Sequence, residues 1–351
     1  MLNEPTETGE VPQLIDEDTS LAVGGRRLPS RYFLAPLAGY THLAFRRVIR
    51  ELGGVGLATT DLVQSTTLLS GRKRAMELIA TSPEDRPLSV QIFGGRVSEL
   101  VEAAEWLADR GYEGIDINMG CPMAKVNSQG GGARLMCDTE GACEVVSRVV
   151  SAVDVPVTVK MRLGWDIDCL NAPDIARRAE AAGAKAITVH GRTRNQFYKG
   201  VADWSAVAPV KQAVLVPVLV NGDIIDGDSA RKALEQSGAD GVMIGRGVYG
   251  RPWIASAIEA ALEGRGFEEP GAEERLAIAI THFRRSLAFY GERLGLKMFR
   301  KHLASYIEAA PWPETPEARR AARAALCRLE DPYAVETALR DLWSPNRRQA
   351  A

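Results

Sequence analysis

Cysteine is scarce and badly spaced for metal or disulfide work. The 351 residues hold Cys121, Cys137, Cys143, Cys169 and Cys327, an odd number with no Cys-x-x-Cys pair. That runs against a zinc ribbon, an iron–sulfur cluster or a disulfide framework, so no metal is expected, and free thiols suit the reducing cytosol. No apolar run is long enough to span a bilayer. The polar, acidic start lacks a signal pattern, so a cytoplasmic protein with no membrane partner is expected. Charge of one sign is also missing: 43 Lys and Arg face 45 Asp and Glu. A polyanion site must therefore come from local clustering. Finally, no Gly-x-Gly-x-x-Gly turn follows the first strand candidate, Tyr32–Pro36, which counts against an open doubly wound sheet.

A rhythm of strands and helices is present instead. Residues 1–20 read as a loose, disordered tail, and a hairpin turning at Gly24-Gly25 is expected to plug the bottom of the strand–helix array behind it. Strands are expected at Tyr32–Pro36, Gly56–Asp61, Leu88–Ile92, Gly114–Asn118, Val157–Met161, Ala186–His190, Val218–Asn221 and Gly241–Ile244. A helical stretch follows each, the first capped by Thr41. Eight Val/Ile-rich strand–helix units fit a closed α/β barrel, the (β/α)8 TIM barrel, over residues 21–265. After Gly266 the pattern is helical only: stretches near Ala272–Tyr290, Leu296–Ile307, Thr315–Leu329 and Pro332–Leu342 predict an all-helical C-terminal domain over 266–345.

The strand ends carry the polar residues. In such barrels the chemistry sits at the carboxyl ends of the strands. Reading those ends gives Pro36, Asp61, Gln91, Asn118, Lys160 with Arg162, His190, Asn221 with Asp223, and Gly245 with Arg246. Buried polar groups need partners, and a bound polar ligand would supply them. Asn221-Gly222-Asp223 and Gly245-Arg246-Gly247 follow the seventh and eighth strands, where backbone N–H groups frequently hold a phosphate. The plain alternative is a pair of tight turns with a surface arginine. The stretch Gly114–Met123 runs from a short strand into Asn118, Gly120, Cys121 and Pro122, which has the character of an active-site loop. Its alternative is a loop carrying one inert, buried thiol. Asp61 is read only as a cap of the following helix.

Together, Ala-Pro-Leu-Ala-Gly at 35–39, Asp-Ile-Asn-Met-Gly-Cys-Pro at 116–122, Val-Lys-Met-Arg at 159–162, Val-His-Gly-Arg-Thr at 189–193, Asn-Gly-Asp-Ile at 221–224 and Met-Ile-Gly-Arg-Gly at 243–247 resemble the tRNA-dihydrouridine synthases. The bacterial branch is nearest, including Arg-Lys-His at 300–302, and the likeness runs from about Leu28 to Leu342. It implies an FMN enzyme that uses NADPH (or NADH) to reduce the C5–C6 double bond of a uridine in the D-loop of tRNA. By position, Pro36, Leu37 and Ala38 would lie along the flavin, and Gln91 and Lys160 would bond its pyrimidine edge. His190, Asn221, Gly222, Asp223, Gly245 and Arg246 would hold its ribityl phosphate side. Asn118 and Arg162 would face the uracil. Hydride would pass from N5 to uracil C6, and Cys121 would protonate C5.

An RNA partner is compatible with one local cluster. Between Thr281 and Glu330 ten basic residues meet five acidic ones. Arg284, Arg285, Arg293, Lys297, Arg300, Lys301, Arg319, Arg320 and Arg323 are expected to form a stripe for phosphates; a solvated, mixed-charge surface is the alternative. Lys125 and Arg192–Arg194 are expected to meet RNA near the mouth. A monomer is expected. Two other functions compete: an FMN barrel acting on a free dihydropyrimidine or dihydroorotate, which leaves the basic helices unexplained, and an RNA-binding protein without catalysis, which leaves Cys121, Lys160 and Asn221 unexplained.

Overall fold

The computed structural model describes residues 20–310 and 312–343. The expected tail falls almost wholly on residues 1–19, outside the described residues, and the expected helical domain over 266–345 ends two residues beyond them.

A two-stranded hairpin, β1 (Leu21–Val23) and β2 (Arg26–Leu28), precedes the barrel. The barrel strands are β3 (Tyr32–Leu34), β4 (Leu57–Thr59), β6 (Leu88–Phe93), β7 (Ile115–Met119), β8 (Val157–Arg162), β9 (Ile187–His190), β10 (Val218–Asn221) and β11 (Gly241–Ile244), with a two-residue β5 (Val63–Gln64) added at the top of β6. All neighbours in the barrel are parallel, and the ring closes through β3 against β11 and β4 against β6. The fold is a (β/α)8 barrel carrying a helical extension.

Side chains alternate along each strand. On β7, Ile115, Ile117 and Met119 join the core between strands and helices, while Asp116 and Asn118 face inward and bond Gln91 of the neighbouring strand β6. The bottom of the interior is apolar: Phe33, Leu57, Leu219 and Met243 pack with Val23 and Leu28 of the hairpin. The turn Gly24-Gly25 has positive φ at both residues, a conformation glycine adopts without strain. The hairpin thus closes the lower end, as expected.

Several boundaries differ from the sequence expectation, each for a local reason. The first strand stops at Leu34, two residues short of Pro36, which has no N–H for the ladder. Thr41 does not cap the first helix, which runs Leu43–Leu52 behind His42; its hydroxyl instead accepts the Leu37 N–H at 2.9 Å. Asp61 is not a helix cap but accepts the Gly39 N–H at 2.6 Å, tying two loops together. Short helices at Ser65–Leu69 and Ala124–Asn127 were too brief to show a period.

The extension consists of helices Ala272–Tyr290, Glu292–Ala309, Pro316–Leu326 and Pro332–Leu342. They share a core of their own around Phe283, Phe299, Leu303, Val335 and Leu339. Two features bind it to the barrel. Arg285 pairs with Glu51 at 2.6 Å. Beneath that, His42 of the barrel meets His302 with Nε2 to Nε2 at 3.1 Å, beside His282, whose Nδ1 lies 3.2 Å from the Tyr306 hydroxyl. All three rings are buried, and burial drives each imidazole to its neutral form, His42 down to about 3. Their ligand atoms lie within 4.8 Å of one another. Of the cations nearby, Arg46 is paired with Asp85 and Arg285 with Glu51, and Arg74 and Lys301 lie farther round the cluster. The cluster is a neutral latch between the two parts.

Candidate active site

Strand register places the polar residues side by side. Gln91 lies beside Asp116, Asn118 beside Lys160, Arg162 beside His190, and His190 beside Asn221. Each faces inward because it occupies the alternate position to a Val, Ile or Met in the outer core. A run of hydrogen bonds crosses three strands. The Thr158 hydroxyl donates to Asp116 Oδ1 and Gln91 Nε2 to Asp116 Oδ2, each at 2.6 Å. Asn118 Nδ2 donates to Gln91 Oε1 at 2.6 Å. Asn118 Oδ1 accepts the Gly120 and Cys121 N–H groups at 3.2 and 2.9 Å. Burial pushes the Asp116 carboxyl up to about 6, against the pull of its two donors and of Lys160.

The Cys121 loop is braced from several sides. Its carbonyl accepts Asn127 Nδ2 at 2.7 Å and the Ala133 N–H at 3.1 Å. Arg162 Nε donates to the Gly120 carbonyl at 2.8 Å, and Arg162 Nη1 to those of Thr193 and Phe197. Burial raises the Cys121 thiol, opposed by the Met123 N–H and the charges of Arg162 and Lys160. The sulfur therefore stays protonated at neutral pH, close enough to Lys160 to feel its charge. Burial lowers Lys160 to about 8, with Arg162 pushing the same way.

A cavity of about 300 Å³ opens at the carboxyl ends of the strands. Nine of the expected residues line it: Pro36, Leu37, Lys160, His190, Asn221, Gly222, Asp223, Gly245 and Arg246. Lys160 Nζ donates to Asn221 Oδ1 at 3.0 Å, and Asn221 Nδ2 donates to the Met243 carbonyl at 2.7 Å, so the Asn amide is held at both ends. Gly222 has φ of 114°, and a Cβ there would sit 2.7 Å from the His190 ring; any side chain would crowd the cavity floor. Gln91, Asn118, Cys121 and Arg162 do not line this cavity; they form the adjoining wall on β6, β7 and β8. Ala38 is exposed and belongs to neither group.

Three residues were missed or misread from sequence. Asp116 sits one turn of the pleat below Asn118, and nothing in a lone Asp-Ile-Asn announces its partners. Tyr198 lines the cavity with Arg246 over its ring at 4.8 Å. Arg192, expected to meet RNA, is buried. It donates to Asp223 at 2.5 and 3.1 Å and to the carbonyls of Lys199 and Gly200. It also lies 3.2 Å from His190 Nε2. A guanidinium only donates, so Nε2 must accept and the ring proton sits on Nδ1. Burial and the surrounding cations keep that ring neutral. Asp223 is opposed by burial, but Arg192, the Ala202 N–H and Arg246 hold its carboxyl below the ordinary value. Arg194 is not free either; it stacks on Trp165 at 4.4 Å and contacts Asn127.

The expected basic stripe is largely spent on internal contacts. Arg284 pairs with Glu336, Arg285 with Glu51, Arg320 with Glu317 and Arg323 with Glu308. Arg300 donates to the Leu329 carbonyl, and Arg319 to three carbonyls around Ala310. Arg293, Lys297 and Lys301 differ: all three are exposed. Lys301 leans back to the barrel, 5.8 Å from the Tyr40 ring centre. Tyr40 stacks on Tyr249 at 4.1 Å, and these three line an open groove between barrel and helices.

The fold and this site define a class: a (β/α)8 barrel whose mouth joins a glycine-and-arginine end to a polar floor, beside a helical appendage. Comparison with known proteins narrows it. The family model described as dihydrouridine synthase matches residues 33–339. A probable tRNA-dihydrouridine synthase of Rhodobacter capsulatus is 46% identical over 95% of this chain and 100% of its own. The tRNA-dihydrouridine synthase B of Pseudomonas aeruginosa is 41% identical over 92% of this chain and 95% of its own. A solved 2-naphthoyl-CoA reductase complex shares the fold at a TM-score of 0.53 and 14% identity, covering 70% of this chain, which spans about half (52%) of that one. The chain belongs to the dihydrouridine synthase family.

Proposed function

We propose that the protein reduces uridines in the D-loop of tRNA to 5,6-dihydrouridine, with FMN held in the barrel mouth and NADPH as reductant. The observation that carries this reading is the adjacency of the cavity, with Gly245 and Arg246 at one side and Lys160 and Asn221 on its floor, to a protonated Cys121 thiol. A phosphate-bearing ring cofactor fits these residues. Gly222 and Gly245 let backbone approach closely, and Arg246 supplies a fixed positive charge. Asp223 acts through the arginines it holds. Neutral His190 and the Asn221 amide offer hydrogen bonds along the cavity. Pro36 and Leu37, with Ala38 beyond them, would flank the ring; Gln91 and Lys160 would meet its polar edge.

When bound, the cofactor supplies the hydride that uracil C6 receives. The chain's own residues then manage charge and the proton. As the C6–H bond forms, the C5–C6 π pair moves to C5 and its carbonyl. Cys121 delivers its S–H proton to C5, and the thiolate left behind is stabilised by Arg162 and Lys160 until solvent reprotonates it. Such a positioned acid contributes roughly 10² to 10⁴ in rate. Asn118 and Arg162 would face the uracil, Arg162 while bracing the Gly120 carbonyl. A stacked uridine must leave its neighbours to enter. The Lys301–Tyr40 groove would offer a neighbouring nucleotide an aromatic face and a cation.

The test is dihydrouridine mapping in tRNA from cells lacking this protein, together with the spectrum of the purified chain. A yellow protein and one lost dihydrouridine position are expected. A colourless protein that takes up no FMN, or unaltered tRNA, would overturn the reading.

A further inference from the structure

We infer that Asp116 is a positioning residue: it fixes the direction of the Gln91 and Asn118 amides and, through them, the seat of the Cys121 loop. The inference deepens the function proposed above, since it rests on Gln91, Asn118 and Cys121 serving uridine reduction.

The argument is one of donors and acceptors. An ionised carboxylate only accepts, and a backbone N–H only donates. Asp116 stands at one end of the run, accepting from Thr158 and Gln91; the Gly120 and Cys121 N–H groups stand at the other. Between them lie two amides, each able to turn by half a rotation. Only one arrangement satisfies both ends. Gln91 must aim its nitrogen at Asp116 and its oxygen at Asn118. Asn118 must then aim its nitrogen at Gln91 and its oxygen at the loop. Turning either amide sets oxygen against oxygen or N–H against N–H. Asp116 is 3% exposed and Gln91 wholly buried, so water offers little relief, and an unmade buried hydrogen bond is costly. Asp116 does not line the cavity; its influence on Cys121 runs through the two amides and through the charge it shares with Lys160, which the double variant holds constant in total.

The isosteric change Asp116→Asn has two settings: its nitrogen set against the Gln91 N–H group, or its oxygen kept on Gln91 with the nitrogen turned to Thr158, whose hydroxyl must then accept instead of donate; either way the run loses its acceptor-only end. Adding Gln91→Glu restores the pattern: a carboxylate at position 91 accepts from both neighbours, the total charge is that of the original, and the Asn118 amide keeps its direction. A side chain that merely fills space would show no such rescue.

The test measures N-ethylmaleimide alkylation of Cys121 in the full chain by peptide mass mapping, with exposed Cys137 and Cys169 as internal references. In D116N the Cys121 rate should change roughly tenfold, the effect of one reversed buried hydrogen bond, while the reference thiols keep theirs. D116N/Q91E should return the Cys121 rate towards the original. An unchanged rate in Asp116→Leu, which offers Gln91 no acceptor in any setting, or a changed D116N rate that the double variant does not bring back, would overturn the inference. Should D116N fail to fold, the double variant decides: recovery of folding and of the Cys121 rate supports the inference, and failure of both overturns it. Alkylation needs no turnover, so this result is separate from whether tRNA is the substrate. With tRNA, D116N should lower kcat more than it alters KM.

Discussion

At the scale of the single residue, the protein keeps one thiol from ionising. Burial is the largest influence on Cys121 and favours the protonated form, while the Met123 N–H and the charges of Arg162 and Lys160 oppose it. Replacing Cys121 with Ala should leave the cofactor bound and lower dihydrouridine formation by about 10² to 10⁴, the usual worth of a general acid; single-turnover measurements on the loaded enzyme check this. Turnover equal to the parent would assign the proton to another group. Cys121, Lys160 and Asn221 were legible in the sequence because each ends an apolar strand, where a polar residue has no local reason to be. Arg192 was not. Arg-Thr-Arg after a strand looks like a basic surface loop. Only the fold brings Asp223, 31 positions later, against the guanidinium.

At the scale of the element, a count of basic residues did not show which of them pair with carboxylates. The alternation of apolar strands with helical stretches located all eight barrel strands, because period 2 and period 3.6 are written locally. Charge pairing across helices is not local: Glu336, 52 residues away, neutralises Arg284. Lys301 remains directed at the groove beside Tyr40. Changing Lys301 to Ala should weaken tRNA binding and reduce the salt slope of log K by about 0.7 to 0.9, one phosphate contact. Arg284→Ala, which breaks an exposed pair, should change neither by much. Filter binding across a salt series separates the two. Equal slopes for Lys301→Ala and the parent would place the RNA contact elsewhere.

At the scale of the whole molecule, barrel and helices are joined by the histidine latch, whose partners lie 260 residues apart in sequence and so left no trace in any local pattern. Each ring is held neutral when folded and has an ordinary pKa near 6.5 when unfolded. A base with a depressed folded pKa contributes stability that is complete above the unfolded value and is lost as pH falls towards the folded one, about 3 for His42. Each such group adds up to about 1.4 kcal/mol per pH unit below roughly pH 6.5. Asp116, raised to about 6, works in the opposite direction over the lower part of this range. Urea midpoints should therefore be flat from pH 8 to 7 and drop steeply from pH 6.5 to 5, and His282→Phe should flatten the drop. A level profile for the parent would contradict the neutral latch.

The hairpin of β1 and β2 also governs access. With Val23 and Leu28 stoppering the lower end of the cylinder, the cavity opens at the carboxyl ends of the strands. Under the proposed function, the nicotinamide donor and the nucleic acid would both reach the seated ring from this end and would take turns there. Initial velocities against one, at several fixed levels of the other, should give parallel reciprocal lines; intersecting lines would mean that both guests fit inside together.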